Sequence, residues 1–475
     1  MALRRAWMLP LRATAVVLAL ATPFALAAAA TGPSANPPHG VVGVEDAQLD
    51  PGYWVARHPD PDAAYLDRPA IDAHNATLRA TDRSVHDLQA LPRVLAREQV
   101  AQWVGALSAP PSRTLYDVQG APLPPATLAG IVANAAVASI PAERPARYGL
   151  AVRRADLRTF PTALRVFREV GDTDIDRFQE STLFPGDPVV IAHESVDGQW
   201  WFVVSPRYAA WVERRHIAEG DAGQVLGHAT RSPYRIVTGA TAHTVYNPEL
   251  PAVSELQLDM GVRMPLRTDW PADRAVHGQH PYASHVVDLP TRDADGRLRF
   301  APALLPRRED TAAAPLALTP RNLIGQSFKF LGERYGWGHA YNGRDCSGFV
   351  SEVYRSLGVE LPRNTSDQAR SPALAGVVFG ERDGREAREA AVRALQVGDL
   401  VYIPGHVMMV IGHVDGAPYV IHDTTGISYR GAGGALVRMP LNQVAVTPLL
   451  PLMFNARERT VDRITAIRHV RHAAR

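Results

Sequence analysis

The chain has very little cysteine and almost no lysine. Its 475 residues contain one cysteine, Cys346, and Lys329 is the single lysine among 50 basic residues. One cysteine excludes an intramolecular disulfide and a cysteine-based zinc cluster, and no histidine pair has the HExxH spacing of a zinc peptidase. The net charge of +2 gives no reason to expect a nucleic-acid partner. We therefore expect no metal, no other cofactor, and domains stabilised by their apolar cores alone.

The single cysteine lies between a glycine-rich loop and a predicted helix. Helical spacing of apolar residues begins at Phe349, so Cys346 is expected in or beside the first turn. Unpaired backbone N–H groups and the helix dipole favour a thiolate there, and we expect a large thiolate fraction at neutral pH. A lone cysteine is more often a small buried hydrophobic residue. The polar neighbours Asp345 and Ser347 favour a nucleophile instead.

Two downstream histidines complete a possible catalytic group. Segments 397–403 and 406–412 read as antiparallel strands joined by Pro404-Gly405, and 418–423 and 436–439 read as two further strands. His406 would open the second strand and accept the thiol proton. His422, on the third strand, would hold the His406 ring in one tautomer.

Six short motifs together resemble the NlpC/P60 family of cell-wall cysteine peptidases, and the resemblance spans about 320–455. These motifs are Tyr335-Gly-Trp-Gly, Asp345-Cys-Ser-Gly-Phe, Leu361-Pro-Arg-Asn, Gly398-Asp-Leu, Gly405-His-Val and Ile421-His. The resemblance implies an α+β protein in which a papain-like catalytic domain follows two small SH3-like β-barrels and a mostly helical N-terminal segment. It also implies hydrolysis of the γ-D-glutamyl to diamino acid bond in peptidoglycan stem peptides. Cys346 would be the nucleophile, His406 the base and His422 the third polar residue.

The resemblance further implies a set of substrate-binding residues. Tyr335 would lie beside the thiol, Trp337 and Asp345 would shape the pocket, and Ser347 follows the nucleophile. Glu180, from the first barrel, is expected to reach the substrate.

The sequence departs from related proteins at two positions. Relatives specific for a free N-terminal alanine often carry an acidic residue where this chain has Asn364. Asp367 and Glu180 are possible substitutes as partners of the substrate ammonium. His339 replaces a smaller residue and is expected to narrow the mouth of the cleft.

The chain is predicted to divide into a series of segments. The evidence for the first barrel is a hairpin around Asp197-Gly198 followed by Trp211-Val212. Residues 145–220 and 230–305 are assigned to the two barrels, 306–318 to a linker, 319–455 to the catalytic domain and 456–475 to a C-terminal tail. Residues 41–140 form the N-terminal segment, thought to wrap the other domains. Residues 28–40 are a linker and 1–27 a signal peptide.

The signal-peptide assignment rests on arginines that precede an apolar run and an Ala-Leu-Ala cleavage site. An uncleaved membrane anchor is the alternative. With cleavage, we expect a monomer in the periplasm or outside the cell, without a stable membrane span. Its partners would be peptidoglycan stem peptides. Two other functions stay open: a non-catalytic wall-binding SH3 protein, and a thiol amidase or acyltransferase on the same fold.

Overall fold

The structure is a computed structural model that describes residues 39–472. The predicted signal peptide and most of the linker 28–40 lie outside this range. Within it, no helix has the length and apolar character needed to cross a membrane. Nor do three or more His, Cys, Asp or Glu side chains of residues 39–472 form a group that could hold a metal ion.

The helices, numbered in chain order, are mostly short. They are α1 Pro51–Val55, α2 Arg68–Thr81, α3 Arg97–Leu107, α4 Pro125–Asn134, α5 Ala222–His228, α6 Pro320–Phe328, α7 Cys346–Ser356, α8 Thr365–Arg370 and α9 Arg385–Arg393.

The strands are numbered separately, also in chain order. The first sixteen lie before the domain that carries Cys346; β1 and β2 form a short pair, and the others belong to two β regions described below. They are β1 Val94–Ala96, β2 Glu143–Pro145, β3 Arg147–Ala151, β4 Ala155–Arg158, β5 Gln179–Leu183, β6 Pro188–Glu194, β7 Trp200–Val204, β8 Ala209–Glu213, β9 Ile217–Gly220, β10 Tyr234–Val237, β11 Thr241–His243, β12 Gln257–Asp259, β13 Arg263–Pro265, β14 Ser284–Arg292, β15 Leu298–Pro306 and β16 Thr311–Ala312. The remaining strands are β17 Gly376–Val378, β18 Leu400–Ile403, β19 His406–Val414, β20 Ala417–Arg430, β21 Leu436–Pro448 and β22 Ala466–Arg468.

The helical N-terminal segment packs against the C-terminal half of the chain. Trp54 is 2% exposed and belongs to the same apolar core as α7. Asn75 donates a hydrogen bond of 2.8 Å to the carbonyl of Gly358, just beyond the end of α7. Burial of such apolar and amide groups ties this segment to the domain that carries Cys346.

The first β region is a seven-stranded antiparallel sheet in the order β5-β4-β8-β7-β6-β3-β9. β6 and β7 form the predicted hairpin, and Gly198 supplies the positive φ of its turn at 66°. Trp211 is fully buried against Phe202 at a ring separation of 5.5 Å. These aromatic side chains therefore form the core of the region and do not present a ligand platform.

The second β region distributes its strands among three small sheets. Their orders are β13-β10-β16, β11-β12 and β14-β15, and the first of them extends into the predicted linker through β16. One apolar core joins the three sheets, with Val237, Leu258 and Leu305 fully buried in it. The region is compact in this sense, although its strands do not form one continuous sheet.

The C-terminal domain is a six-stranded antiparallel sheet in the order β17-β22-β18-β19-β20-β21. Phe349 and Val353 of α7 pack on one face of the sheet against Val407 and Ile421. Pro404-Gly405 forms the predicted turn, because Ile403 pairs with His406 directly across it. Helices grouped beside an antiparallel sheet confirm the predicted α+β fold class.

Residues 456–475, which the sequence predicts as a tail, contribute β22 to this sheet. β22 lies between β17 and β18, and Ile467 pairs with Val377 on one side and Val401 on the other. The guanidinium of Arg468 donates to the carbonyl of Leu374 at 2.9 Å. A strand of three residues is too short for an alternating pattern to reveal it.

The position of β22 predicts that shortening a buried side chain on this strand will destabilise the fold. Ile467 is fully buried, so Ile467→Ala should lower the free energy of unfolding by about 2–5 kcal/mol through lost burial and an internal cavity. Urea denaturation measures this change. Arg457→Ala, at an exposed position before β22, is the control and should have almost no effect. Equal stability of the two variants would contradict the placement of β22 in the sheet.

Candidate active site

Cys346 is the first residue of α7, and Asp345 caps the helix. The Asp345 carboxylate accepts a hydrogen bond from the backbone N–H of Gly348 at 2.8 Å. The thiol is 6% exposed, and its sulfur lies 3.7 Å from the hydroxyl of Thr365. The helix start therefore stands where the sequence predicts it, with the thiol inside the protein.

The thiol is protonated at neutral pH in this site, which differs from the thiolate expected from the sequence. Burial, followed by the charge of Asp345, raises the pKa of Cys346 from 9.0 to about 12. Such a rise corresponds to about 4 kcal/mol, whereas a helix N-terminus contributes only about 0.3–2 kcal/mol. Desolvation outweighs the helix dipole, so the thiol needs a base.

His406 and His422 form a hydrogen-bonded chain that can supply this base. Nε2 of His406 lies 2.7 Å from Nδ1 of His422, and Nε2 of His422 lies 3.0 Å from the hydroxyl of Thr447. Because His406 uses Nε2 in this chain, Nδ1 is the ring nitrogen that remains available to accept a proton. The backbone N–H of the next residue, Val407, hydrogen-bonds the sulfur of Cys346, so the start of β19 lies beside the nucleophile.

Both rings are neutral at ordinary pH. Burial lowers the pKa of His406 to about 4, and burial together with the neighbouring His406 lowers the pKa of His422 well below its usual range. Neutral imidazole can accept a proton, which is what a general base requires. Thr447 ends the chain. Sequence reasoning missed it, since the register of β20 and β21 is not visible in local spacing.

An ion pair at the base of α7 holds Asp345 ionised. Burial opposes the charge of Asp345, but Arg363 outweighs it and lowers the pKa of the carboxyl to about 2. Arg363 donates to both carboxylate oxygens, at 2.8 and 3.1 Å, and to the hydroxyl of Ser347 at 3.0 Å. Asp345 and Ser347, both among the predicted substrate-binding residues, thus belong to one buried hydrogen-bonded group.

The first β region reaches this group through β5. Trp337 donates its indole N–H to the carbonyl of Gln179 at 2.9 Å, and the Gln179 amide donates to the carbonyl of Gly338 at 2.8 Å. Ser181 accepts a bond of 2.8 Å from Nε of Arg363. Glu180 lies between these two residues on the strand, so the predicted loop residue is a β5 residue next to the catalytic loop.

Glu180 belongs to a polar cluster that includes Asn364. Its carboxylate accepts bonds from the hydroxyls of Thr159 at 2.5 Å and Tyr208 at 2.6 Å. Asn364 also hydrogen-bonds the Tyr208 hydroxyl, and its amide donates to Asp367 at 3.0 Å. The structure therefore brings together all three residues considered for the ammonium. Tyr208 was not identified from the sequence, although the pairing of β7 with β8 could have placed its loop beside β5.

Tyr335 and His339 lie on the loop before α7. Tyr335 is 6% exposed. Burial, then its neighbours Cys346 and Asp345, raise the pKa of its hydroxyl well above the usual range, so it stays a hydrogen-bond donor. His339 is only 3% exposed. It does not narrow the cleft mouth as expected, because its ring points into the protein.

Asp423 is a buried acid that sequence reasoning missed. It follows His422 on β20 and is fully buried, and in the part of the chain that the structure describes neither carboxyl oxygen has a hydrogen-bond partner. Burial, then the charge of Asp345, raises the pKa of Asp423 to about 9. Asp423 is therefore a neutral carboxylic acid at pH 7.

A buried thiol at the start of a helix and a hydrogen-bonded histidine pair on the adjacent sheet are the groups that a cysteine hydrolase requires. Comparison with known families gives two matches. Residues 332–442 match the NlpC/P60 family, and residues 165–213 match an SH3 domain of the SH3b1 type. The chain thus contains an NlpC/P60 cysteine peptidase domain and one SH3b domain. A second SH3b domain at 230–305 stays a prediction.

Two relatives extend over much of the chain. A γ-D-glutamyl-L-lysine dipeptidyl-peptidase of Bacillus cereus is 25% identical over 287 residues, which are 57% of this chain and 75% of the relative. The solved structure of an NlpC/P60 endopeptidase from Photobacterium damselae subsp. piscicida superposes with a TM-score of 0.70 at 16% identity. It covers 90% of this chain and 98% of that one. At this identity the second likeness shows the shared fold alone.

The buried thiol predicts slow alkylation by iodoacetamide. With a pKa of about 12, the thiolate fraction at pH 7 is about a thousandfold below that of a thiol with pKa 9. The second-order rate should therefore be low at pH 7 and rise throughout the pH range in which the protein is folded. Mass spectrometry follows the reaction without ambiguity, since Cys346 is the only cysteine. The same chain unfolded in urea is the control and should react faster. A rate that levels off below pH 7 would show a preformed thiolate.

The neutral acid at position 423 predicts that Asp423→Asn will stabilise the protein by an amount that depends on pH. The folded pKa of Asp423, about 9, exceeds its ordinary value, so its contribution to stability is complete below about pH 4 and is lost as pH rises toward 9. Asn is neutral throughout. Asp423→Asn should therefore be more stable than wild type at pH 8, by a larger margin than at pH 5, in urea denaturation. Asp295→Asn, at an exposed position, should show no such trend. A constant difference for Asp423→Asn would contradict the neutral form.

Proposed function

We propose that this protein is an exported cysteine endopeptidase that hydrolyses the γ-D-glutamyl to diamino acid bond of peptidoglycan stem peptides bearing a free N-terminal L-alanine. The observation that carries the proposal is the adjacency of two groups. Cys346 directly follows the loop 335–345, and Glu180 of the SH3b domain lies on β5 beside Gln179, which hydrogen-bonds Gly338 of the same loop. A thiol hydrolase with an acidic residue beside the loop that precedes its thiol fits a short peptide with a free amine.

Hydrolysis would proceed through a thioester. The sulfur of Cys346 attacks the γ-carbonyl carbon of D-glutamate while Nδ1 of His406 accepts the thiol proton. The C–N bond then breaks, and the imidazolium returns the proton to the departing amine of the diamino acid. Next, His406 takes a proton from water, whose oxygen attacks the thioester. The alanyl-glutamate product leaves as the proton returns to the sulfur.

The histidine chain gives each of these steps a defined geometry. His422 binds Nε2 of His406 and is itself bound by Thr447, so the ring that exchanges protons is fixed in orientation. Tyr335, a neutral phenol beside the thiol, can donate a hydrogen bond to the carbonyl oxygen as negative charge develops on it.

The free amine would be recognised by Glu180 with Tyr208 and Asn364. An ammonium group is a donor only, and the Glu180 carboxylate is an acceptor held in place by two hydroxyls. Asn364 contributes an uncharged acceptor, so most of the charge complementarity falls on Glu180. The curated relative from Bacillus cereus is named for a γ-D-glutamyl-L-lysine bond, which makes lysine and diaminopimelate the diamino acids to compare.

The site of action would be the periplasm or the exterior of the cell. The support for this is the sequence of residues 1–27, with basic residues, an apolar run and small residues at a cleavage position. An N-terminus at residue 28 or shortly after, in protein purified from its host, would be the direct result. An intact N-terminus on membrane-bound protein would favour the uncleaved anchor.

The amine subsite predicts a large effect of blocking the substrate N-terminus. Two sets of tripeptides, L-Ala-γ-D-Glu followed by L-Lys or diaminopimelate, are compared with their N-acetyl forms. Loss of one charged hydrogen bond costs about 1.5–3 kcal/mol, so acetylation should lower kcat/KM by about 10-fold to 150-fold. Glu180→Gln should lower kcat/KM for the free peptides only, which leaves the free and acetylated forms cleaved at similar rates.

Two variants serve as controls for this experiment. Glu194→Gln changes an acid of the same SH3b domain whose partners are Arg214 and Arg147, and it should retain the preference for a free amine. Cys346→Ala should abolish cleavage of every peptide. Equal cleavage of free and acetylated peptides by wild type would refute amine recognition but leave the peptidase standing. No cleavage of any stem peptide would overturn the proposed reaction.

A further inference from the structure

His339 occupies the centre of a buried hydrogen-bonded chain behind the active site. Its Nδ1 lies 3.0 Å from a terminal nitrogen of Arg363, and its Nε2 lies 2.9 Å from the carboxylate of Glu352. Glu352 is fully buried on α7, fewer than two turns after Cys346. None of the catalytic steps derived above uses this histidine.

The two partners determine the protonation state of the ring. Arginine can only donate and a carboxylate can only accept, so Nδ1 must be the acceptor and Nε2 must carry the proton. A protonated ring would turn an N–H toward the guanidinium and lose this bond. Burial, then the charge of Arg363, accordingly holds the pKa of His339 well below its usual range. The neutral ring satisfies both neighbours at once.

Arg363 links this ring to both sides of the active site. Besides His339, it binds both oxygens of Asp345, the hydroxyl of Ser347 and the hydroxyl of Ser181 in the SH3b domain. A planar guanidinium makes all these bonds only in one orientation. One terminal nitrogen of Arg363 donates both to Asp345 and to Nδ1 of His339. The acceptor at Nδ1 therefore helps to fix the orientation of the guanidinium.

The hydrogen-bonded network also returns to Asp345 through Arg344, its neighbour in the sequence. The second oxygen of Glu352 accepts a bond of 2.8 Å from Nε of Arg344, and Arg344 directly precedes Asp345 in the sequence. The His339 ring also packs against the first turn of α7, because a Cβ on Gly348 would come within 2.4 Å of it. His339 is therefore in contact with the helix start both by packing and by hydrogen bonds.

We propose that His339, oriented by Glu352, is a positioning residue that fixes Arg363 against Asp345 and thereby sets the environment of the Cys346 thiol. It does not touch the reacting atoms. The effect of His339 on catalysis rests on the proposed function. Its effect on the reactivity of the thiol can be measured without any substrate.

The thiol provides a direct readout of this role. The charged and titratable groups that act on Cys346 are Asp345, Asp423, Arg363, Tyr335 and Tyr402, and His406 is the proposed base. Arg363 is the cation among them. Displacement of Arg363 should disfavour the thiolate further and slow alkylation at every pH below the pKa of the thiol.

Variants at position 339 test the hydrogen-bond acceptor at Nδ1 independently of the rest of the imidazole ring. The backbone of His339 has φ 66°, which Gly and Asn adopt readily. His339→Gly removes the acceptor without backbone strain. His339→Asn places an acceptor near the position of Nδ1, whereas His339→Gln reaches toward Glu352 and leaves Arg363 without one.

The experiment measures the iodoacetamide rate at Cys346 between pH 7 and 9, and kcat/KM on the free tripeptide. Loss of one charged hydrogen bond corresponds to about 10-fold to 150-fold, so His339→Gly and His339→Gln should lose at least about 10-fold in both quantities. His339→Asn should recover to within about threefold of wild type. Tyr341→Gly is the matched control: it has φ 58° on the same loop but contacts Arg165 and Thr173. It should alkylate like wild type.

Several outcomes would overturn the proposal. An unchanged alkylation profile in folded His339→Gly, with only the urea midpoint lowered, would make the residue merely structural. Equal behaviour of His339→Asn and His339→Gln would show that the acceptor at Nδ1 is unimportant, and this comparison holds even if His339→Gly does not fold. Slower alkylation in a protein that cleaves no stem peptide would support the positioning role and refute only the proposed function.

Discussion

Two buried arginines determine how the active site of this protein is assembled. Arg344 is fully buried and Arg363 is 3% exposed, so each pays a desolvation cost that only well-placed carboxylates can offset. Arg344 finds its partners in Glu333, Glu352 and Asp259, and the last of these belongs to the second β region. Removing one partner of such a buried pair typically costs about 3–5 kcal/mol. The start of α7 is therefore stable only when the surrounding regions are in place.

The same dependence extends to the loop before Cys346. His339, Tyr341 and Asn342 all have positive φ values, of 66°, 58° and 60°, a conformation that non-glycine residues adopt at a cost. Side chains from both β regions hold the loop in this form. Arg154 donates to the carbonyls of His339 and Gly343, and Gln257 exchanges amide hydrogen bonds with Asn342. The loop that carries Trp337 is thus shaped by neighbours distant in sequence.

Burial also determines the chemistry of the site. It keeps Cys346 and Asp423 protonated and His406 neutral, while Asp345 is charged because Arg363 accompanies it. Close to the thiol, the carboxylate of Asp345 is matched by the guanidinium of Arg363. Small movements of that ion pair should therefore affect reactivity more than changes at the protein surface.

Local sequence patterns were sufficient for the parts of the molecule that depend on near neighbours. The start of α7 at Cys346, the turns at Asp197-Gly198 and Pro404-Gly405, and the Cys–His–His order all follow from spacing and turn chemistry. Contacts between distant segments were decided only by the tertiary structure. Tyr208 beside Glu180, Thr447 beside His422, and β22 inside the sheet each depend on strand register or on packing across the chain. The protonation of Cys346 and the inward position of His339 belong with them, because desolvation is set by everything that surrounds a group and not by its sequence neighbours.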